Sequence, residues 1–188
     1  MFIQTEQTPN PQTLKFLPGK VVMEEGTAFY QKIDEAGDSP FARRLFDIEG
    51  VEGVFFGSDF ITITKNENFE WQVMKPSVLG GIIDHFNSND KTVEKDNSKE
   101  SQQSLEQNED DSEIVKQIKE LLDTRVRPAV AMDGGDIIYN DFEDGIVYLK
   151  MQGACSGCPS STATLKMGIE NMLKHYIPEV KEVRPVDA

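Results

Sequence analysis

A long polar stretch divides this chain and limits what either side of it can fold into. Residues 87–112 span 26 positions, of which only Val93 and Leu105 are aliphatic. Such a segment buries too little apolar surface to offset the entropy lost on ordering, so we expect an acidic disordered linker with a reach of about 25–30 Å. A solvated helix is the alternative, but no apolar stripe would pack it. The sequence therefore predicts two small domains, residues 1–86 and 113–188.

Charge and cysteine content restrict the classes of function. The net charge of −14 argues against binding to nucleic acid or to an anionic membrane, because both need clustered Lys and Arg. The two cysteines, both within residues 155–158, are too few for a secreted disulfide scaffold and indicate a reducing compartment. Residues 1–6 lack the pattern of a signal or transit peptide, so we predict a cytoplasmic protein, with a mature mitochondrial protein whose presequence has been removed as the alternative.

The first domain has the pattern of an α+β module. Its predicted elements are a strand at Thr13–Pro18 with a hairpin partner at Val21–Met23, a helix opened by Ser39 and Pro40, two strands within 50–64 around a Gly57–Asp59 turn, and a helix over 71–86. Its one histidine, His85, is more typical of a helix cap or a surface position than of a metal ligand. We therefore expect an interaction module here, without catalytic residues.

The second domain alternates helices with short strands around the two cysteines. Its predicted elements are a helix from Ile114 to Val126 that Pro128 breaks or ends, a turn at Met132–Asp136, a hairpin of 137–140 and 145–151, a loop at 153–161, a helix from Leu165 to Tyr176 ended by Pro178, and an edge strand at Val180–Val183. Both domains are thus predicted to be α+β, each an antiparallel sheet with helices packed on one face.

The cysteines lie in a loop, Gly153-Ala-Cys-Ser-Gly-Cys-Pro-Ser-Ser161, between a strand end and a helix start. Pro159 suits the first helical position, which would put Cys158 at the N-cap. Helix N–H groups and the helix dipole stabilise a thiolate there. Gly153 and Gly157 should keep the loop open and let its backbone approach both sulfurs.

Three chemistries compete for this pair. A thiol–disulfide oxidoreductase uses C-x-x-C at a helix N-terminus, but a βαβ unit should then precede it. A zinc site needs four ligands, and only His85 and His175 could add to the thiolates. An iron–sulfur cluster usually takes four thiolates, so two copies would each give Cys155 and Cys158 to a bridging cluster on exposed loops. The spacing alone leaves all three open, together with a fortuitous pair.

The motifs around the pair resemble a known family. Residues Met132-Asp-Gly-Gly-Asp136 and the cysteine loop, continued by Gly168-Ile-Glu170, resemble the C-terminal domain of NifU-type scaffolds, the Nfu family. The first domain resembles the Nfu N-terminal domain at Gln7–Phe16, Leu45-Phe46, Val51–Phe55 and Trp71. Together the two resemblances cover nearly all of the chain except the linker.

The resemblance implies a carrier rather than an enzyme. It implies that Cys155 and Cys158 bind a [4Fe-4S] cluster, made of iron and inorganic sulfide, across a homodimer. It implies further that the cluster goes to apo iron–sulfur client enzymes, that upstream cluster-assembly proteins are partners, and that the N-terminal domain helps to engage partners. The domain order and the absent presequence look like those of a bacterial relative of the mitochondrial proteins, in keeping with the predicted cytoplasm.

Overall fold

The computed structural model describes residues 1–93, 112–157 and 159–186, without the side chains of residues 159–162. The chain divides into two compact units, one on each side of residues 94–111. Each unit combines a sheet with helices, which confirms the predicted α+β class. The predicted disorder of the linker concerns mainly residues 94–111, which lie outside the described residues.

The first unit is a five-stranded antiparallel sheet with two helices. Its elements are β1 (Gln4–Gln7), β2 (Thr13–Leu17), β3 (Ala28–Tyr30), a 3-10 helix (Ile33–Asp38), α1 (Pro40–Phe46), β4 (Val51–Phe56), β5 (Ile61–Lys65) and α2 (Trp71–Ser88). The strand order is β1-β2-β5-β4-β3. The predicted start of α1 is confirmed, since the Ser39 hydroxyl oxygen accepts a hydrogen bond from the Ala42 N–H.

One predicted strand pairing in this unit is wrong. Strand β2 lies between β1 and β5, so Val21–Met23 is not its hairpin partner. The backbone N–H groups of Val22 and Met23 instead donate to the Ser58 carbonyl, at 2.8 and 3.3 Å. Both side chains are buried, so their apolar pattern reflects a loop that closes the core rather than a strand.

The core of this unit lies between one sheet face and the two helices. Alternate residues of the central strands point into it, namely Leu14, Phe16, Val54, Phe56, Ile61 and Ile63. Helix α2 buries Met74, Val78, Ile82 and His85, which recur at the spacing of one helix face. His85 is therefore a core residue, 2% exposed and stacked on Phe41 with ring centroids 3.7 Å apart, and the expected cap or surface role is wrong.

The stability of this unit should depend on pH through His85. Burial, with a smaller contribution from Arg44, lowers the pKa of His85 from 6.5 to about 4. Between these values the unfolded chain binds a proton that the folded unit does not. The contribution of His85 to the free energy of unfolding should therefore be constant above pH 6.5. Below pH 6.5 the free energy of unfolding should fall by about 1.4 kcal/mol per pH unit as the pH drops toward 4.

Urea unfolding followed by the fluorescence of Trp71 tests this dependence. Trp71 is the sole tryptophan and packs against this core, so its signal reports the first unit alone. The variant His85→Phe keeps an aromatic ring beside Phe41 but cannot titrate. In this variant the free energy of unfolding should depend less on pH between 4 and 6.5. A pH dependence equal to that of the unmodified chain would contradict the assignment to His85.

The second unit has a three-stranded sheet with helices. Its elements are α3 (Glu113–Leu121), a π-helical turn (Leu122–Val126), α4 (Arg127–Met132), β6 (Gly135–Glu143), β7 (Ile146–Gly153), α5 (Pro159–Tyr176) and β8 (Glu182–Val186). Strands β6 and β7 form the predicted hairpin, closed by Asp144 and Gly145, which both have positive φ. This sheet is mixed rather than antiparallel, because the crossover through α5 makes β8 parallel to β7.

Pro128 does not end the first helix of this unit. The helical path continues from α3 through the π-helical turn and α4 to Met132. Proline lacks an N–H and would clash with the carbonyl four residues earlier in a regular α-helix. The wider turn at Leu122–Val126, where the Arg127 N–H bonds to the Leu122 carbonyl, lets the helix pass the proline.

Candidate functional site: the cysteine loop

The cysteine loop joins β7 to α5. Helix α5 begins at Pro159, as predicted, while Cys158 lies outside the described residues. Gly153 and Gly157 have φ of 62° and 74°, a conformation that side chains disfavour. The Ser156 N–H donates to the Gly153 carbonyl at 3.1 Å, which closes a tight turn around Cys155. The glycines therefore serve the turn geometry of the loop.

The Cys155 side chain lies in the core rather than on the surface. It is 6% exposed and belongs to the apolar cluster of the second unit. The expectation of an exposed cysteine loop is therefore corrected for Cys155. The loop is held inward because the Ala154 N–H donates to the Gly134 carbonyl at 3.1 Å, which joins it to the turn before β6.

Gly135 makes room for the thiol. A Cβ at this position would lie 2.5 Å from the Cys155 Sγ, 2.9 Å from the Gln152 carbonyl oxygen and 3.0 Å from the Cys155 backbone nitrogen. Real Cβ contacts are not this short, and two of these three atoms are backbone. Only Gly134 of the glycine pair uses a positive φ, at 83°, so the second glycine is needed for close packing instead.

Replacing Gly135 by alanine should expel Cys155 from this position. The loop must shift away from β6, because the backbone atoms beside the new methyl group cannot rotate aside. In a Cys158→Ser background, where Cys155 is the one remaining thiol, we expect alkylation by iodoacetamide to be on the order of tenfold faster. Gly80→Ala is the control, since Gly80 has open space around it. Equal alkylation rates in the two variants would contradict the packing role of Gly135.

A partly buried ion-pair network holds the start of β6 next to this glycine. The Arg127 Nε and Nη2 groups donate to the two carboxylate oxygens of Asp136 at 2.9 and 2.8 Å. Its Nη1 donates to Asp123 at 3.2 Å. The Ile137 N–H also donates to Asp136, at 2.8 Å. Burial raises the pKa of Asp123, and the Arg127 guanidinium opposes that rise.

The described residues of one chain do not complete a metal site around Cys155. Across residues 1–93, 112–157 and 159–186, no group of three or more His, Cys, Asp or Glu side chains could hold a metal ion. A metal or cluster bound by Cys155 therefore needs ligands from elsewhere. Cys158, the other thiol of the chain, lies outside the described residues.

Comparisons with known proteins place the chain in a family. The family model described as "Scaffold protein Nfu/NifU N terminal" matches residues 3–89, and the "NifU-like domain" model matches residues 118–184. The human protein "NFU1 iron-sulfur cluster scaffold homolog, mitochondrial" is 54% identical over 187 residues, which cover 99% of this chain and 72% of that protein. The chain belongs to the Nfu/NifU family.

A plant relative matches this chain over nearly the same length. "NifU-like protein 4, mitochondrial" from Arabidopsis thaliana is 53% identical over 185 residues, covering 97% of this chain and 65% of the plant protein. The chain thus spans 72% of the human and 65% of the plant relative. A solution structure of a NifU-like protein from Saccharomyces cerevisiae is 26% identical, with a TM-score of 0.46, and covers 50% of this chain and 86% of its own.

These relatives confirm the family and correct the predicted location. The human and plant Nfu/NifU proteins are named as mitochondrial, so the prediction of a bacterial cytoplasm is wrong and the comparison points to the mitochondrion. None of the described helices is long and apolar enough to cross a membrane.

Proposed function

We propose that this Nfu/NifU chain carries a [4Fe-4S] cluster as its cargo and passes it to apo iron–sulfur proteins. The observation that carries the proposal is a pair of cysteines, the only two of the chain, in the loop that leads into helix α5. The name of its human relative, which describes an iron–sulfur cluster scaffold, supports the same role.

The number of thiols makes two copies the functional unit. A [4Fe-4S] cluster usually takes four thiolates, and one chain has two cysteines. Cys155 and Cys158 of each copy would then complete the set. The N-terminal end of α5 begins directly after Cys158, and its N–H groups and dipole favour the negative charge of the ligated cluster.

The buried position of Cys155 suits a carrier that must also exist without cargo. A thiol that is 6% exposed is sheltered from oxidation and from stray metals. To take up a cluster, Cys155 must turn out of the core, and Gly153 and Gly157 give the loop the backbone freedom to do so. The return of the thiol to its apolar position would favour release of the cluster to a recipient.

The order of elements argues against the alternative of a thiol–disulfide oxidoreductase. Such a C-x-x-C motif should follow a βαβ unit, whereas helices and the β6–β7 hairpin precede this loop. Recipients and donors are assigned by chemistry: apo iron–sulfur proteins accept the cluster, and upstream cluster-assembly proteins supply it. The first unit, which has no cysteine, is assigned to partner binding.

Cluster transfer tests the proposal. The reconstituted, desalted protein should activate an apo [4Fe-4S] enzyme in the presence of an iron chelator that blocks activation by free iron and sulfide. Activation no faster than with the chelated free ions would contradict carriage. An insulin-reduction assay covers the alternative, and turnover above background in it would favour the oxidoreductase.

A further inference from the structure

The exposed face of helix α5 differs from the rest of this highly charged surface. The five exposed residues between positions 163 and 171 are Ala163, Thr164, Met167, Gly168 and Asn171, and none of them is charged. The next exposed residue of the helix, Lys174, is charged, so the uncharged face ends before it. Met167 is 65% exposed, whereas most methionines are buried.

Gly168 on this face is not required by packing or by backbone conformation among the described residues. A Cβ built there would have no neighbour within 4 Å among them, and its φ lies outside the positive region that favours glycine. Glycine inside a helix is less stable than alanine by about 1 kcal/mol. The isolated unit would therefore be more stable with alanine at this position. The glycine indicates that another molecule packs closely against this face of the helix.

The position of the face along the chain identifies what approaches it. Helix α5 begins directly after Cys158, and Met167 lies about 12 Å farther along the helix axis. Two copies that share one cluster must bring their cysteine loops together. The helices that leave those loops then start side by side. A second copy of this chain is therefore the partner that the geometry places against this face.

Electrostatics favour the same arrangement. Residues 112–188 contain twelve Asp and Glu against nine Lys and Arg, a net charge of −3, and like charges placed opposite each other in a symmetric contact would repel. The uncharged face of α5 avoids such repulsion next to the cluster. With both helices starting at the cluster, two helix N-termini also face its negative charge.

We propose that the face of α5 formed by Ala163, Thr164, Met167, Gly168 and Asn171 packs against its own counterpart in the cluster-bridged dimer. The inference rests on the proposed function, because the shared cluster is what brings the two copies together. Met167 lies near the two-fold axis, and Gly168 allows the two helix backbones to approach closely.

A charge at position 167 tests this surface. The full chain is reconstituted anaerobically, and dimer formation is followed by native mass spectrometry over a range of concentrations, with iron and sulfide assayed in parallel. In Met167→Lys two like charges would meet at the axis, so the concentration of half-dimerisation should rise on the order of tenfold or more. The matched control is Val73→Lys, which adds the same charge at a 72% exposed apolar position of α2.

A mixture of two variants separates self-packing from simple damage. Met167→Lys and Met167→Glu, each weak alone, should form a cluster-bridged heterodimer when reconstituted together, because opposite charges then meet. Loss in both variants without recovery in the mixture would overturn the packing of this face on itself.

The outcomes also separate this inference from the proposed function. If the unmodified chain stays colourless and monomeric, cluster carriage itself fails, and the inference fails with it. If the unmodified chain forms a cluster-bridged dimer and Met167→Lys dimerises equally well, the function stands and the surface is wrong.

Discussion

Replacing Cys155 by alanine should abolish cluster retention and leave the fold of the second unit in place. Two copies of the variant offer two thiolates where the cluster usually takes four. Alanine is preferred to serine because Cys155 belongs to the buried core, where a hydroxyl without a partner costs about 1–3 kcal/mol. Absorbance at visible wavelengths and assays of iron and sulfide, made after anaerobic reconstitution and desalting, give the readout.

The control for this variant is a neighbour in the same loop. Ser156→Ala changes a half-buried side chain next to Cys155 without removing a thiol, and should retain the cluster. Circular dichroism establishes that both variants keep their secondary structure. Cys155→Ala that holds iron and sulfide at the level of the unmodified chain would contradict the assignment of Cys155 as a ligand.

Replacing Arg127 by leucine should destabilise the second unit by about 3–5 kcal/mol. The substitution leaves Asp136, whose side chain is 6% exposed, and Asp123 without the cation that lies between them. An unpaired buried carboxylate is far less stable than a paired one. The start of β6, which includes Gly135, would become more mobile as a result. The buried position of the Cys155 thiol would then be less well ordered.

Hydrogen exchange measured by mass spectrometry localises this effect. Amides of β6 and β7 should lose protection in Arg127→Leu, while those of the first unit should not change. The control is Arg125→Leu, which removes an exposed guanidinium. Among the described residues, this guanidinium lies over the Tyr176 ring. Such a cation–π contact contributes about 0.5–1 kcal/mol. Equal protection in the two variants would show that the network does not hold the strand.

The sequence predicted most of the elements because their local signals were strong. Ser39 and Pro40 start α1, and the alternating residues around Gly57 and Ser58 form the β4–β5 hairpin. The errors arose where tertiary contacts decide. The apolar residues Val22 and Met23 fill the core from a loop, and Pro128 is accommodated by a π-helical turn that no propensity indicates.

The position of the cysteine loop was predictable from the sequence, but the packing of Cys155 was not. The spacing of the cysteines and Pro159 located the loop, since both are local features. The burial of Cys155 depends on contacts between β6 and the loop, about twenty residues apart in the sequence. Two adjacent glycines were a usable signal, because only one of them is needed for a turn. Nothing in the sequence apart from the residue types indicated that Arg127 and Asp136 form an ion pair.

The composition of the reconstituted holo-protein is the most direct test of the account. Native mass spectrometry of the full chain, combined with assays of iron and acid-labile sulfide, gives the number of chains, iron atoms and sulfides together. Carriage of a bridged [4Fe-4S] cluster predicts four iron atoms and four sulfides for every two chains. A monomer that holds stoichiometric zinc and no sulfide would contradict it.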